Sequence, residues 1–261
     1  MTTLQALILG IIQGLTEFLP VSSSGHIEIG KALLGVNVTE SLEYSIAVHA
    51  ATVLSTLVVF RKDIIDLFKG VFRFKMNAET HFALKIGVSM IPVLFVGIFF
   101  KDDVENLFNE NILFVGSMLL ITAILLALSK YLNRNQNSPI GYFDAFIIGI
   151  AQAVAVLPGI SRSGATISTG LMLGKSKDEV AKFSFLMVII PILGAAALDL
   201  LKGDTTGGAI SSTAIITGFI AAFVSGYFAC SWMVKLVRKS NLLWFAVYCA
   251  IVGLVAIIAS L

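Results

Sequence analysis

The stretch QGLTEFLPVSSSGH, residues 13–26, is a polar interruption in an apolar segment that is otherwise suited to a membrane. It brings the carboxyl group of Glu17, three serine hydroxyls and the imidazole of His26 into that segment. A charged side chain inside a bilayer costs about 2.5–3.5 kcal/mol on insertion scales, and such residues usually serve a function. A second polar stretch, PGISRSGAT at residues 158–166, lies in similar surroundings. The pair predicts one site that is built from two distant parts of the chain.

The composition is that of a membrane protein with several spans. Of the 261 residues, 57% are hydrophobic and 13% are charged, and the mean hydropathy is +0.94, whereas soluble domains carry about 25% charged residues. We therefore predict an all-α polytopic membrane protein. The net charge of +2 includes no basic run that would indicate nucleic-acid binding. Cys230 and Cys249 lie in apolar segments and are predicted to pack inertly. The N-terminus lacks the pattern of a cleaved signal peptide.

Apolar segments predict six transmembrane helices and two re-entrant hairpins. A spanning helix needs about 20 residues, with some tolerance for tilt. The six segments are residues 44–60, 83–100, 112–128, 184–201, 209–234 and 242–260. The two hairpins combine residues 4–19 with 27–34 and residues 143–157 with 167–173. Because Pro20 and Pro158 should end the first helix of each pair, and irregular backbone at membrane depth needs protein or water partners, we expect the two tips to meet inside the protein.

The distribution of charge predicts how the chain is threaded. Basic residues gather in the loops 61–75 and 175–182, whereas the loop 101–110 is rich in acidic residues. The positive-inside rule places the basic loops in the cytoplasm. Both termini then lie outside, and the two hairpins enter from opposite sides. We therefore predict two inverted-topology repeats in a single membrane domain, residues 1–135 and 140–261.

An internal alignment supports these repeats. Residues 6–35 align without gaps onto residues 145–174, with ten identical pairs against about two or three expected by chance. The matches include Ser-x-Ser-Gly at residues 22–25 and again at residues 161–164. Inverted repeats with broken helices place their site near the midplane of the membrane, where the repeats meet.

The two tips have the residues of a phosphate site. Gln13 and Glu17 are four residues apart and share one helix face. Hydroxyl groups and free N–H groups at helix N-termini bind anions, and an arginine adds a charged fork for phosphate or diphosphate. The predicted substrate-binding residues are Gln13, Ser22, Ser24, Gly25, Ser161, Ser163 and Thr166.

Four residues are predicted to be catalytic: Glu17, Ser23, His26 and Arg162. Glu17 could orient His26, deprotonate a serine or water, or hold a divalent metal. Ser23 could be an activated nucleophile if Glu17 or His26 lies within hydrogen-bond reach. The nucleophile is left open between Ser23, His26 and water. Arg162 would stabilise charge on the transferred phosphoryl group. His49 is expected only to pair locally or to lie at a helix end.

Residues 13–26 and 158–166 resemble the glutamate-rich and Pro-Gly-x-Ser-Arg-Ser-x-x-Thr motifs of the bacterial undecaprenyl-diphosphate phosphatases, the bacitracin-resistance type. The resemblance extends over the whole chain. It implies a bacterial inner-membrane hydrolase, with its active site facing the periplasm, that recycles the undecaprenyl carrier for peptidoglycan synthesis. It also implies dependence on Mg²⁺ or Ca²⁺. Glu17, Ser23, His26 and Arg162 match the proposed catalytic set of that family. Many members have glutamate where this chain has Gln13, which shifts the role of general base onto Glu17.

Other functions are open at this point. Inverted repeats with two re-entrant tips are also found in transporters, so the chain could carry an anion or flip a lipid phosphate. A carboxylate and an imidazole beside an anion site favour an enzyme over a simple carrier. The expected partners are a polyprenyl diphosphate and the bilayer, and a homodimer is left open. A purely structural scaffold fits poorly with two costly polar stretches.

Overall fold

The computed structural model describes residues 1–36, 42–100, 103–104, 107, 111–132, 138–202, 210–239 and 242–260. The elements named within these ranges are twelve helices, which confirms the all-α class for this part of the chain. They are α1 (Thr3–Phe18), α2 (Ser23–Leu34), α3 (Leu42–Val59), α4 (Arg61–Val71), α5 (Ala78–Phe99), α6 (Ile112–Tyr131), α7 (Tyr142–Val154), α8 (Arg162–Met172), α9 (Lys177–Met187), α10 (Ile189–Lys202), α11 (Ser212–Lys239) and α12 (Leu243–Ala259).

The first hairpin segment has the expected order of helix, break and helix. α1 ends at Phe18, just before Pro20, and α2 begins at Ser23. The hydroxyl of Ser22 caps α2, so the helix begins earlier than the apolar run 27–34 that predicted it. A cap of this kind satisfies backbone N–H groups that have no partner inside the helix.

The second hairpin segment has the same order. α7 ends at Val154, earlier than the end of the predicted run 143–157, because the chain turns before it reaches Pro158. α8 begins at Arg162 and is capped by the hydroxyl of Ser161. The break is therefore longer in the second segment than in the first.

The lengths and composition of the helices are those of a polytopic membrane protein. Among the described residues, three helices are long and apolar enough to cross a membrane: α5, α6 and α11. The pair α3 and α4 adds a fourth if it counts as one span, although the two helices are bent by 77°. α1, α7 and α12 are apolar but shorter. The arrangement of six spans stays a prediction.

Two segments differ from their predicted form. The expected single span over 184–201 is two helices, because α9 ends at Met187 and α10 begins at Ile189. Pro191 lacks the N–H group that would bond to the carbonyl of Met187, and its ring disfavours a continuous helix there. The basic loop 61–75 is largely the helix α4. Residue 209 and most of the loop 101–110 lie outside the described residues.

Each short first helix of a hairpin packs against a long helix from the other half of the chain. α1 packs along α11, and α7 packs along α5. Both contacts are close because each short helix presents a glycine. A Cβ atom on Gly10 would lie under 3.0 Å from the carbonyl oxygen of Gly218, and one on Gly149 would lie under 3.0 Å from that of Ser89. Small residues at helix interfaces allow backbones to approach in this way.

Aromatic packing joins α9 to the end of α1 and to Phe60, the residue that follows α3. The ring of Phe185 in α9 lies 6.0 Å from that of Phe18 and 6.0 Å from that of Phe60, measured between centroids. All three side chains are buried. This cluster holds the end of α1, where Glu17 precedes Phe18, against the C-terminal end of α9.

Candidate active site

The tips of the two hairpin segments are in contact. The hydroxyl of Ser163 donates a hydrogen bond to the carbonyl oxygen of Leu19 over 3.2 Å. The backbones also approach closely, since a Cβ atom on Gly25 would lie 3.3 Å from the Cα atom of Gly159. The two polar stretches, residues 13–26 and 158–166, therefore meet at one junction.

Glu17 is the centre of a short hydrogen-bonded chain at this junction. Its Oε2 accepts a hydrogen bond from the hydroxyl of Ser23 over 2.6 Å and another from the amide Nε2 of Gln13 over 3.0 Å. Gln13 and Glu17 share one face of α1, as their spacing predicts. The condition set for Ser23 as an activated nucleophile, a base within hydrogen-bond reach, is met.

The N-termini of α2 and α8 are built alike. The hydroxyl of Ser22 accepts from the N–H of Gly25 over 3.3 Å, and that of Ser161 accepts from the N–H of Gly164 over 3.1 Å. The backbone of Ser22 has φ +70°, a left-handed conformation that costs a residue with a Cβ atom of order 1–3 kcal/mol. The tip preceding Ser23 is thus a strained turn.

The other predicted phosphate ligands surround these caps. Ser24 is half-buried and lies 3.3 Å from the hydroxyl of Ser22, and the buried hydroxyl of Thr166 donates to the carbonyl of Arg162 over 2.9 Å. The hydroxyl of Ser163 donates to the carbonyl of Leu19. All the predicted substrate-binding residues except Gln13 lie in the two tips or the first turns that follow them. Their binding of phosphate stays a prediction.

A small, mostly apolar cavity opens beside Glu17, and Arg162 lines it. Arg162 is the first residue of α8 and is half-buried. The polar residues that line the cavity are Glu17, Thr52, Thr56, Arg162, Ser163 and Ser184. A guanidinium group and a carboxylate at one cavity can hold a phosphate and take a proton from its attacker.

The ring of His26 contacts Ser22 and Tyr248. Its Nδ1 lies 2.8 Å from the carbonyl oxygen of Ser22, so Nδ1 carries a proton and donates it. In the neutral ring, Nε2 is then an acceptor, and it lies 2.9 Å from the hydroxyl of Tyr248 in α12. The two rings are stacked at 5.6 Å between centroids. The structure shows no hydrogen bond from His26 to Glu17, because both ring nitrogens of His26 have other partners among the described residues.

α12 makes a second contact with the first tip. The thiol of Cys249, the residue after Tyr248, donates a weak hydrogen bond to the carbonyl of Pro20 over 3.6 Å. Cys249 and Cys230 are both fully buried free thiols, which agrees with their predicted packing. The last helix of the chain therefore supports the first tip.

Several site residues gave no signal in the sequence. Tyr248 is one aromatic residue in an apolar helix, and Ser184 is one hydroxyl in another. His49 pairs locally, as expected, because its Nδ1 lies 2.8 Å from the carbonyl oxygen of Ser45. His49 and Arg162 are also both close enough to Glu17 to interact with its charge. Only the packing of α3, α9 and α12 brings these residues to the tips.

The oxygen atoms of Glu17 and Gln13 fit a divalent cation whose other ligands come from a diphosphate. Among the described residues, no group of three or more His, Cys, Asp or Glu is placed to hold a metal. Glu17 supplies a carboxylate, and the buried Oε1 of Gln13 has no hydrogen-bond partner in the described part of the chain. Mg²⁺ commonly takes one or two carboxylates, with substrate phosphates and water as its other ligands.

Comparison with known proteins gives one consistent family. Residues 6–255 match the family model described as bacitracin resistance protein BacA. A protein named undecaprenyl-diphosphatase from Bacteroides fragilis is 57% identical over 98% of this chain and 97% of its own length. A protein of the same name from Parabacteroides distasonis is 56% identical over 100% and 99%. Another, from Methanococcus vannielii, is 41% identical over 97% and 99%.

Proposed function

Because the chain belongs to the bacitracin resistance protein family BacA, we propose that it hydrolyses undecaprenyl diphosphate to undecaprenyl phosphate and inorganic phosphate. The observation that carries this proposal is the 2.6 Å hydrogen bond from Ser23 to Glu17 at a cavity lined by Arg162. A transporter or lipid flippase has no need of a serine activated by a carboxylate. The product is the lipid carrier for peptidoglycan synthesis, and its recycling gives resistance to bacitracin.

The first chemical step uses the bond between Ser23 and Glu17. The Oγ of Ser23 attacks the terminal phosphorus while Glu17 accepts the hydroxyl proton. The bond from that phosphorus to the bridging oxygen breaks, and undecaprenyl phosphate leaves with the electron pair. Water then attacks the phosphoserine, inorganic phosphate leaves, and the proton on Glu17 returns to Ser23. Direct attack by water, with Glu17 as base, gives the same products.

Arg162 and the two helix N-termini hold the phosphates during these steps. The guanidinium group can bind two phosphate oxygens at once, and free N–H groups in the first turns of α2 and α8 add partial positive charge. Glu17 and the Oε1 of Gln13 would hold a divalent cation, which would supply positive charge to neutralise the phosphates. His26, held by Ser22 and Tyr248, keeps the first tip in place.

The proposal includes six spans and two inverted repeats, with the cavity open to the periplasm of a bacterial inner membrane. Matched residues of the repeats support it, since Gly35 and Gly174 follow the ends of α2 and α8 with φ of 63° and 76°. Contacts also join segments that the threading places on one side. The hydroxyl of Tyr142 lies 2.6 Å from Nδ1 of His81. A homodimer stays a prediction.

Phosphate release from undecaprenyl diphosphate by the purified protein in detergent tests this function. We expect Glu17→Gln to lower kcat by about 100-fold or more, because it removes the base. Arg162→Ala should lower kcat/KM strongly. Ser117→Ala, on α6, is the control and should match the wild type. Full turnover by Ser23→Ala would rule out the serine nucleophile and leave attack by water or by His26. If the protein moved the lipid across vesicle membranes without releasing phosphate, the proposed phosphatase activity would be wrong and a flippase would be favoured.

A further inference from the structure

One hydroxyl in the cavity beside Glu17 has no hydrogen-bond partner among the described residues. Ser184, in α9, is 4% exposed and lines this cavity together with Glu17, Arg162 and Ser163. Its Oγ makes no hydrogen bond with any described residue. Burying a hydroxyl without a hydrogen-bond partner is unfavourable, so its retention at a cavity with two charged groups calls for a ligand.

A backbone partner is the usual arrangement for buried helical serines in this protein. Ser55 donates to the carbonyl of Ala51, Ser89 to that of Ile86, and Ser129 to that of Leu126. Such local bonds are available to any serine in a helix. Ser168 and Ser184 do not form one, and of these two only Ser184 lines the cavity, so its hydroxyl is left free to donate into it.

The other hydroxyls that line the cavity already donate elsewhere. Thr52 donates to the carbonyl of His49 over 2.8 Å, and Thr56 donates to that of Thr52 over 3.1 Å. Ser163 donates to Leu19. Among the described lining residues, Ser184 therefore has the one hydroxyl proton that is not committed to the protein.

The position of Ser184 relative to Glu17 is fixed by the residues that follow them in sequence. Phe18, after Glu17, and Phe185, after Ser184, pack with 6.0 Å between ring centroids. Phe185 also contacts Phe60, and Phe183 is fully buried. A hydroxyl held this firmly loses little freedom when it binds a ligand.

We propose that the hydroxyl of Ser184 donates a hydrogen bond to an oxygen of the substrate diphosphate and positions it between Glu17 and Arg162. The proposal rests on the proposed function, because the diphosphate is the group whose oxygens would meet this donor. The hydroxyl of Ser184 would bind the substrate equally well in the ground state and in the transition state, and it would accept no proton. Removal of this hydroxyl should therefore raise KM and leave kcat nearly unchanged.

The test compares Ser184→Ala with Ser168→Ala. Ser168, in α8, is also buried, at 0% exposure, and its hydroxyl also lacks a described partner, but it does not line the cavity. We expect Ser184→Ala to raise KM for undecaprenyl diphosphate roughly tenfold or more, as for a lost hydrogen bond to a charged group. Ser168→Ala should keep the wild-type KM. Thermal stability of Ser184→Ala should not fall, because no protein hydrogen bond is lost.

A binding measurement separates failure of this inference from failure of the function. Stabilisation of the wild type by pyrophosphate or inorganic phosphate should shrink in Ser184→Ala and persist in Ser168→Ala. An unchanged KM and unchanged stabilisation in Ser184→Ala would show that the hydroxyl binds water only, and would overturn the inference while the phosphatase stands. Equal effects of the two variants would also overturn it. If Ser184→Ala does not fold, Ser184→Cys, with a weak donor of similar size, should show an intermediate KM, and a wild-type KM would contradict the proposal.

Discussion

The two nitrogens of His26 have different partners, and this limits what the ring can do. Nδ1 donates to the carbonyl of Ser22, and Nε2 meets the hydroxyl of Tyr248. A ring held on both sides is suited to fixing the strained turn at Ser22, directly before Ser23. We therefore predict that His26 acts as a positioning residue and that Glu17 transfers the proton.

Tyr248→Phe tests this arrangement at the scale of one atom. The variant keeps the stacked ring and removes only the hydroxyl that His26 contacts. We expect kcat to fall about threefold to tenfold, the usual range for one hydrogen bond, and the pH profile to shift because the basicity of His26 changes. Tyr227→Phe, on α11, is the control. A wild-type pH profile and rate for Tyr248→Phe would show that the hydroxyl does not act through His26.

At the scale of elements, the contact between α5 and α7 depends on the absence of a side chain. Gly149→Ala would place a methyl group against the backbone of Ser89. We expect a loss of about 1–3 kcal/mol in the free energy of unfolding, the usual cost of overpacking. Gly87→Ala, also in a helix of this pair, meets nothing within 4 Å and should be neutral or stabilising. Equal thermal stability of the two variants in detergent would contradict the close contact.

The elements that the sequence predicted well are those with a local signal. A proline and a run of hydroxyls marked both breaks, and four-residue spacing paired Gln13 with Glu17. The break at Val188 also had a signal, Pro191, but the apolar run around it read as one span. No local sequence pattern identified Tyr248 or Ser184 as site residues. Their positions depend on the packing of distant helices, which a short stretch of sequence does not predict.

At the scale of the molecule, helices from the two halves of the chain pack against each other. α1 lies on α11, α7 lies on α5, and α6 lies on α12. Ion pairs also join segments placed on one side by the threading, as between Lys182 and Asp63 at 2.6 Å. The first helix of each hairpin packs most extensively on a long helix of the other half, so the repeats should fold as one unit.

Cysteine labelling on whole cells tests the proposed orientation. Cys230 and Cys249 are fully buried, so the wild type should give little background. We expect a membrane-impermeant maleimide to label Ser211→Cys from outside and to label Lys75→Cys only after the cells are permeabilised, because the basic side faces the cytoplasm. Both positions are exposed. The reverse pattern would place the cavity beside Glu17 on the cytoplasmic side.

The bonds from Tyr248 to His26 and from Cys249 to Pro20 have a consequence for biosynthesis. The ribosome makes the first tip at the start of translation, but the residues that hold it are in the last helix. The Ser184 hydroxyl and Arg162 also arrive late. A nascent or truncated chain without α12 should therefore insert its early helices and remain inactive until α12 is present.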